Sequence, residues 1–255
     1  MNSGVHGKYT GTPPSPGGIR ERGPRVTTHA DRRRLPSGRH GLPRAYIVRD
    51  QRERLLEAMV QVASSKGYEA TTVADVIREA GVSRTTFYQL FSDKEDCFLQ
   101  AYDAVFDVVL HRVEHAYRSY EGPWPERIHA GLAAMVDLLA QEAEIARMVM
   151  VEGVTAGQKP RQRYREALNR FLPFLDEGRA SSEYSQQLPA ATSRLAVGAA
   201  TTLIFDEVSS GRTKTLPKVL PEIVFAVLMP FLGPERAAEE MRKQIAPPPF
   251  ELSAT

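Results

Sequence analysis

The sequence predicts an all-α protein in which three short N-terminal helices are joined by a long helix to a larger helical domain. Two observations predict the class. From residue 45 onward apolar side chains recur at helical spacing, and no sustained alternation of period two occurs. A third observation predicts the short helices: four helix start signals fall between residues 50 and 95, and each agrees with the apolar pattern that follows it.

Residues 1–44 differ sharply from the rest of the chain. They hold eight Gly and six Pro and carry a net charge of +7, whereas the remaining 211 residues carry −5. Because the segment has few large apolar side chains to offset the entropy of ordering, we predict a disordered basic tail. Three explanations stay open: an arm for the minor groove of DNA, a solubilising tail, or a wrongly assigned translation start.

Composition excludes several classes of protein. The single cysteine, Cys97, cannot form an internal disulfide, which favours a reducing cytoplasm. We find no apolar run of about 18 residues that would predict a membrane span and no apolar core of a signal peptide. The expectation is a cytoplasmic protein without a membrane partner.

The first helix is predicted to begin at a capping box formed by Asp50 and Glu53 and to end at Gly67. An apolar stripe that starts at Leu55 runs between these limits. The first helix therefore has one face suited to burial.

Three further start signals follow. Thr72 with Asp75 begins a second helix that Gly81 ends, and Ser83 begins a third helix of two turns. Ser92 with Glu95 forms another capping box, which predicts a long fourth helix that continues to about residue 120.

The rest of the chain is predicted as helices with one Ser-rich loop, at 179–188. Pro221 and Pro230 must lie near helix ends or kink a helix. The predicted helices are 125–141, 143–152, 160–178, 189–209, 217–232 and 234–245. The corresponding domains are a tail at 1–44, a head at 45–92, a larger helical domain at 93–246 and a C-terminal tail at 247–255.

The second and third helices form a helix-turn-helix pattern, because a three-residue turn that begins with Gly81 joins them. A rotation of 100° per residue places Phe87, Leu90 and Phe91 on the buried side of the third helix. Polar side chains then occupy its free face. Arg can read guanine, Gln can read adenine, and a Thr methyl can contact thymine, so this helix is suited to the major groove.

This segment resembles the DNA-binding head of the TetR family of transcriptional regulators, over about residues 48–100. The matching residues are Gly67-Tyr68-Glu69-Ala70-Thr71-Thr72-Val73, Ala80-Gly81-Val82-Ser83, Thr86-Phe87-Tyr88, Phe91 and Lys94-Glu95. Two residues depart from the family pattern. Ile77 stands where a small Ala is frequent, and Leu90 replaces a His that contacts phosphate, so one phosphate contact is lost.

The resemblance implies a set of DNA-binding residues. Those that contact phosphates would be Thr72, Tyr88 and Lys94, and those that face the major groove would be Ser83, Arg84, Thr85, Thr86 and Gln89. It also implies that the larger domain binds a small-molecule effector and forms a homodimer.

The resemblance also implies an effector pocket in the middle helices. Their apolar and aromatic side chains are candidates for its lining, although each of them singly is more typical of a core position. The candidates are Tyr102, Phe106, Met135, Met148, Phe171 and Phe174. Such a lining suits an apolar or aromatic ligand, whose identity the sequence does not give.

The homodimer is predicted to form through helices 189–209 and 217–232, because their apolar surface is too wide for solvent-exposed helices. The interface candidates are Leu195, Ile204, Val224 and Val227, and Gly198 would allow close helix approach. A two-fold dimer presents two recognition helices about 34–36 Å apart, which predicts an inverted-repeat operator in double-stranded DNA.

Two alternatives to a ligand-responsive repressor stay open. His111, Glu114 and His115 spell a zinc-peptidase pattern, H-x-x-E-H, but no third ligand can be identified. The other alternative is a ligand-independent DNA-binding activator or architectural protein. We expect a protein that is not an enzyme, with no catalytic residue, metal site or cofactor.

Overall fold

The computed structural model describes residues 44–248, and within that range it contains helices and no strand, as the sequence predicts. A π-helical turn, Met148–Glu152, joins α6 to α7, and a 3₁₀ turn, Thr213–Thr215, precedes α11. The helices are α1 (Arg44–Lys66), α2 (Val73–Ala80), α3 (Arg84–Leu90), α4 (Lys94–Ser119), α5 (Trp124–Gln141), α6 (Ala143–Arg147), α7 (Gly153–Thr155), α8 (Gln158–Asn169), α9 (Leu172–Ser181), α10 (Thr192–Ser209), α11 (Leu216–Leu232) and α12 (Pro234–Met241). The predicted tails, except residues 44, 247 and 248, lie outside the described residues.

The turns of the helix-turn-helix form as predicted. Thr72 and Asp75 make a reciprocal capping box at the start of α2, and Gly81 closes that helix in the left-handed conformation with φ 63°. Ser83 caps α3 by accepting a hydrogen bond from the backbone N–H of Thr86. These caps could be predicted because each depends only on residues within one helical turn.

Two predicted helix starts are wrong. Helix α1 begins at Arg44 and not at Asp50, whose carboxylate instead accepts a hydrogen bond from Nε of Arg54 at 3.0 Å. Helix α4 is capped by Asp93, which accepts from the N–H of Asp96, and not by Ser92. At α4 the neighbouring residues Ser92 and Asp93 offer the same type of acceptor, so sequence spacing could not select between them.

The head packs on the larger domain through a continuous core. Helix α1 lies against α2 and α4 and also against α6 and the π-helical turn. Leu55, Met59, Phe87, Phe91 and Phe98 are buried together there. The described residues therefore form one compact unit, in which the π-helical turn contacts α1 directly.

The predicted helix 160–178 is two helices. Helix α8 ends at Asn169, and α9 begins at Leu172 with Pro173 at its second position. Proline has no N–H for the carbonyl four residues earlier, and its ring clashes with that carbonyl, so a straight helix cannot continue through this point.

Helix α11 corrects the expectation that no segment is apolar and long enough to span a membrane. By length and composition alone, Thr213–Leu232 meets that test among the described residues. The helix contacts α5, α10 and α12, and its buried side chains include Ile223, Leu228 and Phe231. A third of the apolar window is buried, so packing within the chain accounts for part of this apolar composition.

The prediction of the dimer interface is wrong for three of its four residues. Ile204, Val224 and Val227 are 1%, 0% and 2% exposed in the single chain, because their faces of α10 and α11 pack on the chain's own core. Leu195 is 66% exposed and is the one predicted interface residue that faces outward. The apolar width of these helices does not separate their inner faces from their outer faces.

Candidate DNA-binding surface and ligand cavity

Helix α3 presents its polar face to solvent. Phe87 is fully buried and Leu90 is partly buried against the head, whereas Arg84, Thr85 and Gln89 are exposed. Of the remaining predicted contact residues, Thr72 and Ser83 are exposed, Tyr88 is 48% exposed and Thr86 is half-buried. The structure thus brings these residues to one end of the head, with unobstructed side chains at the centre of the recognition face.

Hydrogen bonds fix the two helix starts beside that face. The Oγ1 of Thr72 donates to Oδ2 of Asp75 at 2.6 Å, and the hydroxyls of Ser83 and Thr86 lie 2.9 Å apart. The pKa of Asp75 is lowered chiefly by a hydrogen bond from Lys66, and also by hydrogen bonds from Thr72 and Arg78. The α2 capping box therefore stays charged and rigid at neutral pH.

Lys94 has a second role that the sequence did not indicate. Its ammonium donates to the carbonyls of Tyr68 and Thr71, at 3.0 and 2.9 Å, and lies 4.1 Å from the centre of the Tyr68 ring. Burial lowers the pKa of Lys94. Two of the three donors of this ammonium therefore hold the loop between α1 and α2.

A cavity of about 80 Å³ lies in the larger domain, and its walls are almost entirely apolar. The predicted residues Phe106, Met135, Phe171 and Phe174 line it. The other lining residues are Val109, Val113, Tyr117, Ile128, Leu132, Leu139, Val149, Met150, Tyr164, Leu168, Leu175, Val197, Ala200, Thr201, Ile204 and Val227. Helices α4, α5, α8, α9, α10 and α11 and the π-helical turn all contribute, so the cavity occupies the centre of the domain.

The prediction that Tyr102 and Met148 line this cavity is wrong. Both are buried core residues, at 1% and 0% exposure, and neither lines it. The Tyr102 ring stacks between those of Phe98 and Phe106 and lies so close to Gly153 that a Cβ there would come within 2.7 Å of the ring. Helical periodicity identifies an inward face, but it does not tell a packed position from a cavity wall.

Two polar groups on the cavity wall have partners within the chain. The Tyr117 hydroxyl donates to Glu177 at 2.5 Å, and the Thr201 hydroxyl donates to the carbonyl of Val197 at 3.0 Å. Arg127, near the Tyr117 end, is itself paired with Glu177 at 2.6 Å. The cavity therefore suits the apolar part of a ligand and offers no cation for a charged part.

A polar groove adjoins the cavity on its outer side, between α8, the start of α9 and α10. Its lining residues are Gln162, Arg165, Glu166, Leu168, Asn169, Leu172, Arg194, Val197 and Gly198. Two of these, Leu168 and Val197, also line the cavity. Leu168 and Val197 are therefore part of the wall between the groove and the cavity.

A buried carboxylate connects the cavity wall to the head. Val149 and Met150 of the π-helical turn line the cavity, and Glu152 of the same turn is 2% exposed. Its Oε2 accepts a hydrogen bond from the backbone N–H of Tyr68 at 2.9 Å, and its Oε1 lies 3.3 Å from Nε of Arg147. The loop that Lys94 holds on one side is therefore held by Glu152 on the other.

The H-x-x-E-H residues form no metal cluster in the structure. Between residues 44 and 248, no group of three or more His, Cys, Asp or Glu side chains is placed to hold a metal ion. Glu114 instead accepts a hydrogen bond from Nε of Arg118 at 2.8 Å.

A helix-turn-helix head with a free recognition helix, set on an all-α domain, defines a DNA-binding transcriptional regulator. Residues 55–101 match the model of bacterial regulatory proteins of the TetR family. The head of the chain therefore carries the DNA-binding domain of TetR-family transcriptional regulators, as its resemblance implied.

Individual proteins agree with this assignment. The chain is 25% identical, over 144 residues, to the fatty acid metabolism regulator protein of Bacillus subtilis, a match that spans 55% of this chain and 74% of the relative. The fatty acid degradation regulator FadR of Bacillus halodurans superposes with a TM-score of 0.62 at 18% identity, over 70% of this chain and 94% of that one. FadR of Bacillus subtilis in complex with stearoyl-CoA superposes with a TM-score of 0.54 at 21% identity, over 71% and 98%.

Proposed function

We propose that this regulator is a cytoplasmic repressor that binds an inverted-repeat operator as a homodimer and is released by an apolar or amphiphilic effector. The single observation that carries the effector is the apolar cavity at the centre of the larger domain, whose free volume of about 80 Å³ must widen before an effector can fill it. The relative that regulates fatty acid metabolism and the neighbour solved with stearoyl-CoA support a long-chain acyl group as the apolar part.

DNA binding is assigned to the exposed end of the head. Arg84 and Gln89 read base edges in the major groove, and Thr72, Tyr88 and Lys94 contact phosphates on either side. The support is their common position around one rigid two-turn helix, where all of them except Lys94 are exposed.

Effector release is assigned to the π-helical turn together with α4. A ligand in the cavity presses on Val149 and Met150, and Glu152 carries the displacement to the backbone of Tyr68. Helix α4 lines the same cavity and begins beside α3, so both routes change the spacing of the two recognition helices. The effector must bind the mis-spaced state more tightly, because equal affinity for both states would shift nothing.

Dimerisation is assigned to the outer faces of α10 and α11, which pack together. Leu195 and Met229 are large apolar side chains that remain 66% and 41% exposed there. Gly198 lines the groove beside α8 and is not part of this proposed surface. Such an interface would replace the buried set, Ile204, Val224 and Val227.

Footprinting on DNA that flanks the protein's own coding region tests the proposal, with and without stearoyl-CoA. We expect a protected inverted repeat in the absence of stearoyl-CoA and its loss on addition. Protection that stearoyl-CoA does not change, in a protein that binds stearoyl-CoA, would contradict release. Expression that falls when the chain's gene is deleted would favour the activator alternative.

A further inference from the structure

We propose that the groove between α8 and α10 is the site of the anionic end of the effector, bound by Arg165 and Arg194 while the apolar chain fills the cavity. The inference rests on the proposed effector function and adds the chemical class of the ligand: an amphiphile whose charged end carries carboxylate or phosphate oxygens.

The first support is that the cavity is lined by apolar side chains, whereas the groove is lined by polar and charged ones. The cavity contains no unpaired cation, since Arg127 at its far end is neutralised by Glu177. A carboxylate or phosphate moved into that interior would lose its hydration without compensation, which costs several kcal/mol. The charged end of a bound amphiphile must therefore remain outside the apolar walls.

The second support is the composition of the groove. Arg165 on α8 and Arg194 on α10 line it, and within the described part of the chain neither guanidinium has a hydrogen bond or an ion pair. Amide donors from Gln162 and Asn169 lie in the same groove. The acid in the groove, Glu166, is occupied, because it accepts from Gln162 at 3.0 Å and lies 3.7 Å from Arg163. Guanidinium groups bind carboxylate and phosphate oxygens through paired N–H donors.

The third support is the way in which α8 is held. Of its twelve residues only Pro160 and Ala167 are buried, and it is tied to α4 by the surface ion pairs Lys159–Glu95 and Arg163–Asp103. The inner side of α8 contributes Tyr164 and Leu168 to the cavity. A helix with so little buried surface is the wall that moves at least cost, and it lies between the groove and the cavity.

The experiment measures the affinity of the full-length protein for stearate, stearoyl-CoA and 1-octadecanol, which share one chain and differ in charge. In the wild type we expect both anions to bind more tightly than the alcohol. In the double variant Arg165→Ala/Arg194→Ala, affinity for the anion that uses the groove falls about tenfold or more, as expected when charged hydrogen bonds are lost, and affinity for the alcohol is unchanged. Because both arginines are exposed, folding is retained, and melting temperature verifies it.

Arg161→Ala is the matched control, since Arg161 is an exposed arginine of the same helix that lies outside the groove. It should leave all three affinities unchanged. A loss confined to stearate assigns the groove to a carboxylate, and a loss confined to stearoyl-CoA assigns it to the phosphates. Equal binding of all three ligands by the wild type, or an anion preference that survives the double variant, would overturn the inference alone. Binding of none of the three by a folded wild type would overturn the inference together with the proposed effector class.

Discussion

At the scale of single residues, specificity should reside in two exposed side chains of α3. Arg84 and Gln89 are free of the core, so their truncation removes base contacts without disturbing the fold. We expect Arg84→Ala and Gln89→Ala each to weaken specific binding by about 1–3 kcal/mol and to relax preference at particular base positions. Competition binding against an operator library measures both effects.

Thr85→Ser is the control for these substitutions, because it keeps a hydroxyl at the centre of the same face. If Arg84→Ala and Gln89→Ala lower the affinity for random DNA as much as that for the operator, the two residues contact phosphates and the assignment to base reading fails.

Lys94 should show a mixed effect, because one ammonium serves both the loop and the DNA. Lys94→Ala removes the donors to the carbonyls of Tyr68 and Thr71 and should cost roughly 1–3 kcal/mol of stability. It should also weaken binding to all sequences and lower the slope of log K against log salt by about one. Thermal unfolding and salt titrations separate the two effects. A lower melting temperature with an unchanged salt slope would leave Lys94 only the structural role.

The head shows which contacts can be predicted from the sequence and which cannot. The caps at Thr72, Gly81 and Ser83 were predictable because each satisfies backbone groups one turn away. The contacts of Lys94 and Glu152 with the α1–α2 loop were not, since they join residues 23 to 84 positions apart. No local pattern records such a pairing.

At the scale of elements, the π-helical turn should carry effector binding to the head. Glu152→Ala removes the acceptor for the Tyr68 N–H, whereas Glu152→Gln keeps a side-chain oxygen there. Allosteric coupling of 1–3 kcal/mol corresponds to a change of roughly 5- to 150-fold in affinity. We therefore expect stearoyl-CoA to change the operator affinity of Glu152→Ala by less than about fivefold, and that of Glu152→Gln nearly as much as in the wild type.

Fluorescence anisotropy with labelled operator measures this response, and circular dichroism verifies folding. The readout is the ratio of affinities with and without ligand, which a loss of stability alone does not alter. A full response from folded Glu152→Ala would show that α4, and not the π-helical turn, transmits the signal.

The sequence predicts that these elements are helices, but it does not predict where the helices are interrupted. The sequence indicated one helix at 160–178 and a regular helix at 143–152, whereas the structure breaks the first ahead of Pro173 and inserts a π-helical turn in the second. A π-helical turn arises where packing on neighbouring elements favours one extra residue, and it often marks a functional position. The cavity wall depends on both interruptions, so its lining could be predicted only in part.

At the scale of the whole molecule, the corrected dimer surface gives a different test from the one the sequence alone would suggest. Charges at Val224 and Val227 would unfold the chain, since both side chains lie in its core. Leu195→Glu/Met229→Glu instead places charges on exposed positions, so the monomer keeps its helical content while the apolar contact between protomers is lost. A monomer carries one recognition helix and cannot span two half-sites about 34–36 Å apart, so operator binding should be lost with the dimer. Sedimentation measures the oligomeric state, and Tyr184→Glu, another exposed apolar side chain, is the control that should stay dimeric. A double variant that sediments as a dimer and still protects its operator would place the interface on another face.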